Sequence, residues 1–176
     1  MSLPRYPKYK DSGVEWLGEV PEGWVVGGLG YRYRIELGKM LDAKQISGRQ
    51  LAPYLRNVDV QWGLIRTSDL PEMDFDDDDR KRFKVEVGDL LVCEGGEVGR
   101  CAVWVGAVDE CFYQKALHRV RPYQSARDVT RFLFWTLHWA VKSGCLSADG
   151  ANATIAHLPA EAFRKYRFPF PPPTEQ

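Results

Sequence analysis

Residues 88–105 read Gly88-Asp89-Leu90-Leu91-Val92-Cys93-Glu94-Gly95-Gly96-Glu97-Val98-Gly99-Arg100-Cys101-Ala102-Val103-Trp104-Val105. Asp89–Cys93 is a short apolar run of the length and composition of a buried strand, the Gly95–Arg100 stretch is a loop, and Cys101–Val105 is a return strand. The unit is hairpin-like. A glycine loop between two strands is a poor phosphate cradle: it lacks the Gly-Lys-Ser/Thr ending of a P-loop and offers no helix N-terminus to a nucleotide.

Working outward, Tyr33, Ile35 and Leu37 alternate with Arg32, Arg34 and Glu36, the period of a half-buried strand over 31–37. Met40–Pro53 is polar and reads as a long exposed loop before a strand at Tyr54–Val58, and Trp62-Gly63 signals a turn. Asp76–Asp79 precede Arg80-Lys81-Arg82, the order that suits a helix macrodipole, so a short surface helix is predicted there. Phe112–Val120 reads as one strand, with Lys115, Arg119 and the following Arg121 forming a ladder of cations on one face. Asp128 is a candidate N-cap or early-turn acid for a largely buried helix over 129–142, which Ser143-Gly144 ends. A short helix at 159–165 and a strand at 167–170 complete the inventory. With no β-α-β alternation, the fold class is α+β: a single domain with a twisted, mostly antiparallel sheet flanked by a few helices. Residues 1–24, rich in Pro, Gly and aromatics, are read as an arm packed on a domain over 25–176.

The 176 residues and an apolar fraction of 44% suit one ordinary core. The most apolar stretch, 132–141, is far short of the roughly 20 residues that span a bilayer, and no apolar h-region follows the basic N-terminus. No membrane partner is expected, and the expected location is the cytoplasm. Cys93, Cys101, Cys111 and Cys145 form no Cys-x-x-Cys pair, and His118, His138 and His157 are unclustered, so neither a metal nor any other cofactor is predicted. Consecutive Asp side chains at 76–79 point in different directions, which disfavours an acidic metal site. Net charge is zero, but Glu72, Asp74 and Asp76–Asp79 supply six of the 24 acids, so 24 cations face 18 acids elsewhere. A localised basic face is compatible with that distribution. No Gly-x-Ser-x-Gly elbow is present, no methyltransferase loop, and only Asp42-Ala43-Lys44 echoes a nuclease motif, so no catalytic residue is predicted.

Several phrases then point to one family. The run Ser12–Trp24, Tyr54-Leu55-Arg56-Asn57-Val58-Asp59-Val60, Gly88-Asp89-Leu90-Leu91-Val92 with Gly99-Arg100, Tyr113-Gln114-Lys115-Ala116-Leu117, Thr154-Ile155-Ala156-His157-Leu158 and Phe168–Gln176 resemble, in order, the N-terminal target recognition domain of specificity (S) subunits of type I restriction-modification enzymes. The resemblance implies a non-catalytic domain that reads one half of a bipartite double-stranded DNA target. It further implies that methyltransferase and restriction/translocase subunits supply the chemistry, and that the chain is an N-terminal half ending where a spacer helix begins. Alternatives are a recognition domain of a fused restriction-methylation enzyme, or a small enzyme with a noncontiguous site. Base reading needs forked donors and acceptors and backbone tracking needs cations. On that ground the DNA-binding candidates are Lys44, Gln45 and Arg49 from the long loop, Gln61 and Trp62 from the turn, Arg100 from the glycine loop, Gln114, Lys115 and Arg119 at the basic strand, and Asn152.

Overall fold

Leu90, Leu91, Val92 and Cys93 are all fully buried, which requires a strand covered on both faces. The computed structural model, which describes residues 5–41, 47–144, 146 and 157–176, supplies both covers. Its strands are, in chain order, β1 (Tyr9–Asp11), β2 (Glu19–Pro21), β3 (Val25–Gly28), β4 (Tyr33–Leu37), β5 (Leu51–Leu55), β6 (Val60–Gln61), β7 (Leu64–Ile65), β8 (Glu72–Asp74), β9 (Leu90–Cys93), β10 (Cys101–Val103), β11 (Phe112–Tyr113), β12 (Leu117–Pro122) and β13 (Arg167–Phe170). The helices are α1 (Asp77–Phe83), α2 (Thr130–Lys142) and α3 (Ala160–Lys165).

A central antiparallel sheet has the order β10-β9-β12-β4. Because side chains alternate along a strand, Leu90 and Val92 join Ile35, Cys101 and Val120 in a core with Leu133, Leu137 and Ala140 of α2 and Phe163 of α3. Leu91 and Cys93 join Ala102 and Leu117 in a second core with Tyr54, Met73, Phe75 and Phe112. That second cover is the sheet β11-β5-β8, in which β11 runs parallel to β5 and β8 antiparallel. The architecture is therefore α+β with mostly antiparallel pairing. Each fully buried Leu contributes about 1.5–3 kcal/mol to it.

At the chain's start, β1 pairs with β2, Trp16 packs on Trp139 and Phe168, and Trp24 packs on Phe132. β3 pairs with β13.

Local signals are realised where they are local. Asp76 caps α1, its carboxylate accepting from the N–H groups of Asp78 and Asp79. Four expectations change. The strand expected at 54–58 runs from Leu51 to Leu55 and turns into a 3-10 helix over Asn57–Asp59. The strand expected at 112–120 is two strands in different sheets, separated by Ala116 at a positive φ of 79°. Asp128 does not cap α2: it is buried and accepts from Arg32 and Arg127, while the Gln176 side-chain oxygen accepts from the Val129 N–H at 2.7 Å. Nor is α2 enclosed all round, since Trp135 and Trp139 are 55% and 47% exposed.

Candidate nucleic-acid interface

The register of the central sheet gathers several connections at one end. Leu37 of β4 pairs with His118, Cys93 of β9 with Leu117, and Val92 with Cys101 of β10. The chain leaving β4 and β9 and the chain entering β10 and β12 therefore share that end. The parallel pairing of β5 with β11 delivers Arg56-Asn57 and Gln114 to the same place, where the Gln114 N–H donates to the Leu55 carbonyl. Gly38 N–H donates to Leu117 at 2.9 Å, and Lys115 N–H donates to Lys39 at 2.7 Å. The approach is so close that a Cβ on Gly38 would lie 2.3 Å from the Gln114 carbonyl oxygen, so only glycine fits.

Five of the expected residues meet here. The Gln61 amide nitrogen donates to the Val58 carbonyl at 2.9 Å. Trp62 packs edge-on against His138 and Phe134, and its Nε1 donates to the Glu97 carboxylate at 2.6 Å. Arg100 donates to the Asn57 side-chain oxygen at 2.9 Å and to Glu97 at 3.4 Å. Gln114 is half-buried, and its Oε1 has no hydrogen-bond partner among the described residues; the same holds for Arg100 Nε. Lys115 is exposed, and among the described residues its ammonium has no partner.

Arg49 lies elsewhere. It precedes β5 and so sits at the far end of that strand, beside Asp74, whose carboxyl is held down at about 2 by the backbone N–H groups of Gln50, Gly48 and Ser47. Lys44, Gln45 and Asn152 lie outside the described residues.

The expectation for Arg119 is corrected. It is 3% exposed, donates to Glu36 at 2.9 Å and to the Lys84 carbonyl at 2.6 Å, and lies over the Tyr113 ring. A guanidinium so enclosed cannot reach a phosphate. Arg121 is likewise committed, bidentate to Asp89 and paired with Glu86. The cation ladder read from alternation is therefore a set of internal ion pairs, and Lys115, outside β12, is not part of it.

Clefts among the described residues adjoin α2. One of about 530 Å³ lies at the opposite end of the sheet and is lined by Glu86, Asp89, Arg121, Asp128 and Arg131 among others. Its two buried acids already hold arginines. Another, of about 350 Å³, is walled by Trp62, Phe134, Trp135 and His138. Burial pushes the Cys111 thiol up to about 12 and raises Cys93 and Cys101, so none of these is primed as a nucleophile. Burial lowers the His118 pKa, and its Nε2 faces the Leu158 carbonyl at 2.7 Å. Among the described residues no group of three His, Cys, Asp or Glu is arranged to hold a metal, and no helix is long and apolar enough to cross a membrane.

Asn57 also stands at this end and is not among the expected DNA contacts. Its sequence signal was the Arg56-Asn57 pair where a strand was expected to continue; reading the strand's end at Leu55 would have exposed it as a turn residue.

No family model and no curated protein matches the chain. Solved structures do match in fold. One is from work on complex assembly and conformational transition of the type I R-M system, with a TM-score of 0.64 and 20% identity over 95% of this chain and 38% of that one. A second is the HsdS subunit from Thermoanaerobacter tengcongensis, with a TM-score of 0.58 and 16% identity over 95% of this chain and 37% of that one. A third is the type I restriction-modification system S subunit from M. genitalium, with a TM-score of 0.50 and 14% identity over 84% of this chain and 34% of that one. At these identities the likeness is one of fold, and the chain spans less than two-fifths of the length of each.

Proposed function

We propose that this chain is a target recognition domain of the S-subunit kind, reading one half of a bipartite DNA site and catalysing nothing itself. The observation that carries the reading is the correspondence of fold, over 95% of the chain, with a structure from a type I R-M system and with an HsdS subunit. The end of the sheet that gathers Gln61, Trp62, Arg100, Gln114 and Lys115 is the reading end. Gln61 and Gln114 can form paired donor-acceptor contacts with adenine once their amides turn to a base edge, and Lys115 suits a phosphate. Gln45 and Asn152 remain candidate base readers, Lys44 joins Lys115 as a backbone contact, and Arg49 serves the flank.

In this reading residues 1–24 are an arm on a recognition domain over 25–176. Methyltransferase and restriction/translocase subunits of a type I system, met through a longer S subunit in the cytoplasm, are its partners. Arg119 and Arg121 are paired internally, and at the reading end Arg56 and Arg100 are paired with Asp59 and Glu97, so the isolated chain should bind DNA weakly, with a log–log salt slope of only about −1 to −2, since each neutralised phosphate contributes about one.

Selection from randomised duplex DNA tests this. Enrichment of a short motif is expected, with no methyl transfer and no cleavage by the purified chain. A folded protein that enriches nothing removes the reading.

A further inference from the structure

The reading end is closed by a ring of polar contacts with Asn57 at its centre. Asn57 stands in the 3-10 turn between β5 and β6, and that turn is rigid: Arg56 Nε and Nη2 donate to the Asp59 carboxylate at 2.9 and 2.8 Å, and the Arg56 N–H donates to it at 2.8 Å. From this base the Asn57 amide works in two directions. Its Nδ2 donates to the Gly95 carbonyl at 2.9 Å and more loosely to Ala116 at 3.5 Å, reaching both the glycine loop and the link between β11 and β12. Its Oδ1 accepts from Arg100, whose other nitrogen reaches Glu97, and Glu97 accepts from Trp62. From Trp62 the chain returns through Gln61 to Asn57, so the ring closes.

The glycine loop and the link between β11 and β12 thus share one amide with the 3-10 turn. Gly96 and Gly99 have φ of 72° and 83°, and Ala116 has a positive φ despite its side chain. Backbone hydrogen bonds also hold these segments, among them Arg100 N–H to the Glu97 carbonyl and Glu94 N–H to the Ala116 carbonyl, and the Asn57 amide adds a side-chain contact that joins them. An amide carries its donor and its acceptor on two separate atoms, so one short side chain can hold a carbonyl and a guanidinium at once. A carboxylate would keep Arg100 and lose Gly95; a methyl group would lose both and leave polar groups unpaired.

We infer that Asn57 is a positioning residue for recognition: it fixes the Gln61-Trp62 turn, the glycine loop and Lys115 relative to one another without touching DNA. This rests on the recognition reading above. The test repeats the randomised-duplex selection with the wild-type chain, Asn57→Ala and Asn57→Asp, with thermal unfolding and amide hydrogen exchange measured in parallel. For Asn57→Ala, affinity for the wild-type motif should fall about tenfold or more, while binding to unselected duplex stays within about twofold. Exchange should rise at 95–100 and 114–116 and not in β9 or β12. Asn57→Asp should loosen the Gly95 and Ala116 contacts while the Arg100 contact survives. Unchanged preference in Asn57→Ala, or equal loss on both duplexes in step with a lower melting temperature, overturns the inference. Should the wild type enrich nothing, the recognition reading fails, and exchange alone decides the brace: unchanged protection at 95–100 in Asn57→Ala sinks it.

Discussion

β12 carries two adjacent polar residues, His118 and Arg119, that are buried on opposite faces of the central sheet, and the faces treat them differently. On the helix side His118 lies beside Phe163, gives one ring nitrogen to the Leu158 carbonyl, and has no partner for Nδ1 among the described residues. On the other side Arg119 is paired with Glu36, which also holds Arg34 and Arg82. One face stores a polar ring without a proton to spare; the other stores a compensated charge. A cation on a strand is therefore no sign of a nucleic-acid face until its acid is located.

A large effect should come from breaking the charged side. Arg119→Ala leaves Glu36 with only its two more exposed arginines and should cost about 3 kcal/mol in urea unfolding, the low end for breaking a buried pair because Glu36 is not left alone. Arg119→Met with Glu36→Leu should cost less than Arg119→Ala alone. A double variant less stable than the single would mean that the pair is not the balance described.

On the helix side, Leu137→Ala should cost about 3 kcal/mol, by cavity formation under α2. This loss should not vary with pH between 5.5 and 7, whereas a loss that grows on acidification would tie Leu137 to His118.

The two sides should also differ in their response to acid. The folded state holds the His118 pKa below its ordinary value because burial disfavours the cation. Its contribution is fully present above the unfolded value of about 6.5 and is lost as pH falls below it, because the unfolded chain takes up a proton that the folded chain refuses. From pH 7 to 5.5 the wild type should lose about 1 kcal/mol more than His118→Gln does. Equal losses in both proteins would place the titration elsewhere.

The smallest effect on stability should follow Lys115→Ala, within about 0.5 kcal/mol, because its ammonium is solvated. Its effect belongs to DNA: the salt slope should fall by about one, on all duplexes alike. A change in the ranking of duplexes would make Lys115 a reader of bases.

What the sequence determined by itself was set by neighbours along the chain. The uninterrupted apolar run at 90–93 marks a strand covered on both faces, Asp76 marks the start of α1, and Gly144 marks the end of α2, because burial, capping and left-handed φ act over one to four residues. Period-2 alternation puts Lys115, Arg119 and Arg121 on one face and points it at DNA, whereas Lys115 lies outside β12 and the face shared by Arg119 and Arg121 meets Glu36 and Asp89. Which cations are free follows from contacts between segments far apart along the chain. The acid that neutralises Arg119 is 83 residues away, the one for Arg121 is 32 away, and the amide that organises the reading end is 43 residues from Arg100. Ion pairs and hydrogen bonds depend on distances of a few ångströms through space. Those distances exist only once β4, β9 and β12 lie side by side in register.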